Sequence, residues 1–246
     1  RPKLTKVEHA YILLCLGLDF RHGGFVDRAL EAFQEVRRLD PRNRYALVNL
    51  QKLYEDQHQW TDAMRVREQI ARLDSGGRSD DQQILGFLRN EIGVEQRRAG
   101  NSAAASASFV DAIDLDGRTV PAYLNLGDAR ERDGHLKEAV EAWESLVKAV
   151  PDQAHFAFER LEGAYGRMGT PHRFVELCRR LIDRDPQGWR ARLALARHLA
   201  AAGEPRAAFD QLVEALPHHP HALGIHQEIW EVLSALAFDP GLIHRY

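Results

Sequence analysis

The side chains best equipped for chemistry in this sequence are its twelve histidines, four of which, His218, His219, His221 and His226, fall close together. Imidazole is a common zinc ligand, but a zinc site needs three or four converging donors, and neither cysteine, Cys15 or Cys178, lies near this cluster in sequence. His218 and His219 are read instead as closing a helix, where an imidazolium complements the dipole. The chain has no G-x-S-x-G elbow, Walker A loop, dinucleotide fingerprint or H-E-x-x-H pair. The expectation is a protein that is not an enzyme, with no catalytic residue, no metal site and no cofactor in this chain.

Composition removes further classes. A net charge of −3 supplies no basic field for nucleic acid, and Arg37-Arg38 or Arg97-Arg98 read as solvated helix faces. The longest apolar run, Tyr11 to Leu18, is far shorter than the roughly 20 residues that a membrane helix needs, so direct membrane insertion is not expected. Cys15 and Cys178 sit among apolar residues at helical spacing and are read as small core residues, with no disulfide between them.

What positions these side chains is a repeat of about 34 residues. From Ala10 to Asn43, Leu13, Leu16, Gly17 and Phe20 fit W-x2-L-G-x2-Y with apolar substitutions, and Ala29, Phe33 and Pro41 supply A-x3-F and the closing P. That is a helix, a turn at Gly23-Gly24 and a second helix ended by Asp40-Pro41. Residues 1–9 read as a polar lead-in. Further copies are read at 44–77, 86–119, 120–153, 155–188 and 189–222, with a capping helix at about 222–235. The pattern predicts one all-α domain over 1–246, a right-handed superhelical array of about six repeats.

The copies are not uniform. The second puts Gln51 where Gly is usual and Arg67 where an aromatic is usual; a buried guanidinium is costly alone, so Arg67 should carry its head to water or a carboxylate. Residues 78–85 are extra, and Ser79-Asp80-Asp81-Gln82 reads as a capping box that lengthens the next helix at its start. Ala103, Ala104, Ala105 and Ala107 suggest close helix approach in the third repeat. In the fifth, Phe174 replaces the usual small residue and should splay the helices or fill space left by Gly163 and Gly166.

With Ala10 as position 1, positions 4, 7, 8 and 11 of the first helix are read as the seam against its own second helix. Positions 2, 5, 9 and 12 then form a separate stripe, expected to line a concave groove. Tyr11, Leu14 and Leu18 supply it first, then Tyr45, Val48 and Lys52. Phe87, Asn90 and Val94 follow, then Leu124 and Asp128, then Phe156 and Glu159, and last Arg190, Leu193 and Arg197. The near half is apolar and aromatic and is expected to hold a protein or peptide segment, or a second copy of the chain, rather than to complete the core.

The pattern is that of tetratricopeptide repeat proteins. Within them the chain resembles the cytoplasmic helical array of the bacterial lipopolysaccharide assembly protein B family, through GGFVDRALEAFQEV, LYEDQHQWTDAMRVREQIARL, the long third repeat and MGTPHRFVELCRRLI. The resemblance runs from about Ala10 to Pro220. It implies an adaptor that controls lipopolysaccharide synthesis by helping a membrane AAA protease degrade the deacetylase of the lipid A pathway. It also implies a cytoplasmic array tethered to the inner membrane, with zinc only in a C-terminal module outside this sequence. A generic tetratricopeptide scaffold, or the helical accessory domain of an enzyme whose catalytic part lies elsewhere, stands beside that reading.

Overall fold

A computed structural model describes residues 4–73 and 78–246, and side chains in the second span from Asp80 onward. The fold is all-α, without a strand among the described residues. The chain divides into two compact units, Arg1–His135 and Leu136–Tyr246, the boundary falling in the turn of the fourth repeat.

The first unit contains α1 (Lys6–His22), α2 (Val26–Leu39), α3 (Arg44–Asp56), α4 (Trp60–Leu73), α5 (Arg78–Arg98), α6 (Ser102–Leu115) and α7 (Val120–Arg132). Consecutive helices pack against one another. The supposed lead-in is helical from Lys6 onward, because Thr5 and Glu8 form a capping box that starts α1 there. The extra residues before the third repeat do lengthen its first helix, to 21 residues; the side chain of Ser79, its expected cap, lies outside the described residues. Asn43 and Asn101 cap α3 and α6 by accepting from the backbone N–H of Ala46 and Ala104.

The second unit contains α8 (Leu136–Ala149), a 3-10 helix (Pro151–Ala157), α9 (Phe158–Arg167), α10 (His172–Arg184), α11 (Trp189–Ala201), α12 (Pro205–Ala215), α13 (Leu223–Ala235) and α14 (Pro240–Ile243). The 3-10 stretch sits where the repeat register slips by one residue, at Ala154. Position 15 has positive φ in every copy, at Gly24, His58, Gly100, Gly134, Gly169 and Gly203, and again at Ala237. That left-handed residue reverses the chain between the two helices, which is why glycine recurs there.

Ala237 changes the reading of the C-terminus. Counting from Leu223, Trp230 takes position 8, Leu242 position 20 and Tyr246 position 24, and the Trp230 and Tyr246 rings meet edge to face at 6.3 Å. Positions 8 and 24 are where Gly17 meets Phe33 and Gly93 meets Phe109. The helix read as a cap thus carries the turn and ring contact of a repeat's first helix, with the short α14 after that turn.

Four local expectations change. Leu16, at position 7, is not in the seam with α2 but 41% exposed. In α6 only Ala105 of the alanine run is buried, joined by Ser106 and Ser108, while Ala103 and Ala107 face solvent. Phe174 does not fill space beside Gly163 and Gly166, which border open space. It is fully buried edge-on to Phe158 at 6.1 Å and beside His198 at 5.5 Å. His218 and His219 lie in the turn after α12 rather than on its last residues.

Arg67 reaches a carboxylate, that of Asp81, which is buried, while the Arg67 side chain keeps only 12% of its exposure. The partner comes from the inserted residues. Gln51, at the matching position of α3, donates from Nε2 to Glu55 Oε1 at 2.8 Å. A Gly–aromatic contact in the first and third repeats is thus replaced by polar groups in the second, each given its own partner.

Candidate interaction surface

In the first unit, position 2 of three successive first helices carries an exposed aromatic ring: Tyr11 is 67% exposed, Tyr45 76% and Phe87 47%. None of these rings is needed by the core. Below them Leu14, Leu18 and Val48 are half-buried against the first unit's core, so they support the helices as well as bordering the stripe. Val94 likewise packs on Ala105, Phe109 and Ala129. Lys52 is exposed, and Leu124 and Asp128 are half-buried.

Asn90 departs furthest from its assigned place. It is buried, accepting at Oδ1 from Asn125 Nδ2 at 2.9 Å and donating to Glu91 Oε1 at 2.9 Å. Asn125 in turn accepts from Arg97 Nη1 at 3.0 Å, and Arg21 Nη1 donates to Asn49 Oδ1 at 2.6 Å in the same register. Position 12 is thus bonded to position 6 of the next repeat between α1 and α3 and between α5 and α7. The first of these bonds helps to fix the spacing of the helices that carry Tyr11 and Tyr45.

Two residues escaped the sequence reading. Val7 is exposed one turn before Tyr11, and the 7, 11, 14, 18 spacing would have shown it had residues 1–9 not been set aside. Trp60 of α4 stands edge-on to Phe87 at 6.1 Å and widens the aromatic surface.

In the second unit Phe156 is exposed on the 3-10 stretch, stacked 4.2 Å from His155. Glu159 is exposed, Leu193 is buried, Arg190 lies over the Trp189 ring at 4.9 Å, and Arg197 Nε donates to Glu228 Oε2 at 2.5 Å. A cavity of about 430 Å³ opens here, lined among others by His155, Phe158, Arg184, Trp189, Arg190 and His219. Burial, then the positive charge of Arg190, lowers the pKa of His155 and favours the neutral ring.

The histidine cluster serves hydrogen bonding. His219 Nε2 lies 2.6 Å from the Gln187 carbonyl, and His226 sits between the Tyr246 hydroxyl and the Pro220 carbonyl at 2.7 and 2.8 Å. Among the described residues no group of three or more His, Cys, Asp or Glu side chains is placed to hold a metal ion. No helix among them is long and apolar enough to cross a membrane. Both cysteines are free.

A family model for the tetratricopeptide repeat matches residues 90–162 and 175–223. Those spans include the Gly93–Phe109 contact and the turns at Gly100, Gly134 and Gly203. The chain is a tetratricopeptide repeat protein. It is similar to lipopolysaccharide assembly protein B of Escherichia coli K12, at 21% identity over 217 residues, 88% of this chain and 55% of that protein. A shorter match, 26% over 100 residues, is to the probable UDP-N-acetylglucosamine–peptide N-acetylglucosaminyltransferase SPINDLY of Hordeum vulgare, covering 41% of this chain and 10% of that one. The chain thus spans about half the length of the first relative and about a tenth of the second. The crystal structure of MamA protein is similar at 24% identity, covering 73% of this chain and 93% of MamA, with a TM-score of 0.45.

Proposed function

We propose that this chain is a non-enzymatic adaptor that holds segments of other proteins against the stripe headed by Tyr11, Tyr45 and Phe87. The carrying observation is that all three rings are exposed at one repeat position. Aromatic rings give large contact area at low entropic cost and dominate protein interfaces, so such a row favours an apolar or aromatic partner segment. The similarity to lipopolysaccharide assembly protein B supports a narrower reading: an adaptor of lipopolysaccharide assembly, tethered at the inner membrane, that brings a lipid A pathway deacetylase to a membrane AAA protease. The SPINDLY match supports a second reading, the helical accessory part of a larger enzyme.

The test immobilises the chain and offers purified deacetylase and the purified cytoplasmic part of the protease. The narrower reading expects saturable binding of at least one, weakened about tenfold or more by Tyr45→Ala with Phe87→Ala, since losing interface anchors typically costs over about 1 kcal/mol each. Absence of binding to both overturns that reading. Binding indifferent to the ring substitutions removes the stripe as the surface.

A further inference from the structure

The cavity of about 430 Å³ in the second unit has a neighbour. A second cavity, of about 390 Å³, shares His155, Phe158, Trp189 and Arg190 with it, so the two adjoin between α11 and the 3-10 stretch that leads into α9. Volumes of this order are those of ligand sites, roughly 300–1,000 Å³. The shared middle is aromatic and braced. Phe158 is buried edge-on to Phe174, and the Trp189 ring stands 6.4 Å from that of His219, which is itself pinned to the Gln187 carbonyl.

The two cavities differ in charge. The first is lined by the exposed guanidinium groups of Arg184 and Arg190, the latter lying over the Trp189 ring. Of its two carboxylates, Asp152 is already engaged, and that of Asp185 is folded against Gly188, where an added Cβ would lie 2.7 Å from Oδ2. The second cavity reverses the sign. Glu159 is exposed there, Glu162 holds His198 Nδ1 at 2.6 Å, and Arg197 is bonded to Glu228. A cationic end, an aromatic middle and an anionic end thus follow one another.

We infer that these adjoining cavities form a peptide site separate from the stripe of the first unit, one that takes an extended partner segment with an aromatic residue between an acidic and a basic one. The aromatic side chain packs on Phe158 and Trp189. The acidic side chain accepts hydrogen bonds from Arg184 and Arg190, whose planar donors match a carboxylate, and the basic one faces Glu159. The ring supplies contact area, and the opposed charges set the direction in which the segment lies. An inorganic anion would meet the guanidinium groups alone and leave the aromatic wall uncovered. The contacts are few, so binding is weak and selective rather than tight.

Fluorescence anisotropy of the whole chain with labelled peptides tests this, in about 0.15 M salt to screen long-range attraction. The peptides are acetylated and amidated, and carry a Glu pair and a Lys pair on opposite sides of one Phe, in both chain orders. Saturable binding of at least one is expected, weakened about tenfold or more by Arg184→Glu with Arg190→Glu. A peptide with its Glu pair replaced by lysine should bind that reversed variant about tenfold better than wild type, a preference that damage to the fold cannot create. Replacing the Phe of the peptide by alanine should cost about fivefold and leaves the protein untouched. Tyr45→Ala with Phe87→Ala should change nothing here, which separates this site from the stripe. No saturation up to about millimolar peptide, weaker than the roughly −4 kcal/mol of that affinity, overturns the proposal. So does indifference to the arginine reversal, a reversed variant with no preference for the lysine peptide, or displacement by inorganic phosphate at the concentration of the peptide itself.

Discussion

A Cβ atom added at Gly93 would lie 2.6 Å from Cε1 of Phe109, and one at Gly17 would lie 2.7 Å from Cε1 of Phe33. Helix and ring touch without a side chain between them. Gly93→Ala is therefore expected to destabilise the protein by about 1–3 kcal/mol through overpacking, despite the better helix propensity of alanine. The control is Gly163→Ala in α9, where nothing lies within 4 Å, and a gain of about 0.5–1 kcal/mol is expected. Urea denaturation of the two variants should show midpoints moving in opposite directions.

The largely buried pair of Arg67 and Asp81 gives a second test. Asp81→Ala leaves a guanidinium uncompensated in the first unit and should cost about 3–5 kcal/mol. Replacing both residues with leucine should recover most of that loss, because well-packed apolar groups often match or exceed a buried ion pair. Equal destabilisation of the single and double variants would count against the pairing as the cause.

Cys178 is fully buried, and burial, followed by the nearby Glu162 carboxylate, pushes its thiol pKa up from 9 to about 12. The protonated thiol favours the folded state, so this stabilisation is complete below pH 9 and is lost as pH rises toward 12. Cys178→Ala should flatten the decline in stability across that window. In the native protein at about pH 8 a thiol reagent should modify Cys15 readily and Cys178 only after unfolding, since the thiolate is the reacting form.

Tyr45 separates binding from folding better than Val48 does. Val48→Asp places a carboxylate on a side chain that is half-buried against the core, so melting and partner binding should both fall. Tyr45→Asp changes a ring that is 76% exposed and should move stability by less than about 0.5 kcal/mol while weakening any partner held on the stripe. A thermal melt of each variant beside the binding measurement distinguishes them.

The repeat was legible because Gly17, Ala29 and Phe33 stand at spacings that only a two-helix hairpin explains. The repeat-like turn after α13 was not, because Trp230 occupies a position usually given to glycine and Leu242 one usually given to alanine. Its signature survives only as the Trp230–Tyr246 contact and the left-handed Ala237. Arg67 announced its need for a partner, but that the insertion supplies Asp81 is a fact of packing between helices. Asn90 failed for the same reason: its stripe position says nothing of Asn125 arriving from the next first helix. Periodicity assigns a face to each side chain and leaves open which neighbouring helix covers that face.

The left-handed turn at position 15 also bears on how the chain folds. Each turn lies midway between partners only sixteen residues apart, as Gly24 does between Gly17 and Phe33, so every hairpin can form its main contact by closing a short loop. No distant segment must be found first. Nucleation is then available in several hairpins, with growth by docking of neighbours, and rapid folding governed by sequence-local contacts is the kinetic counterpart of the repeat.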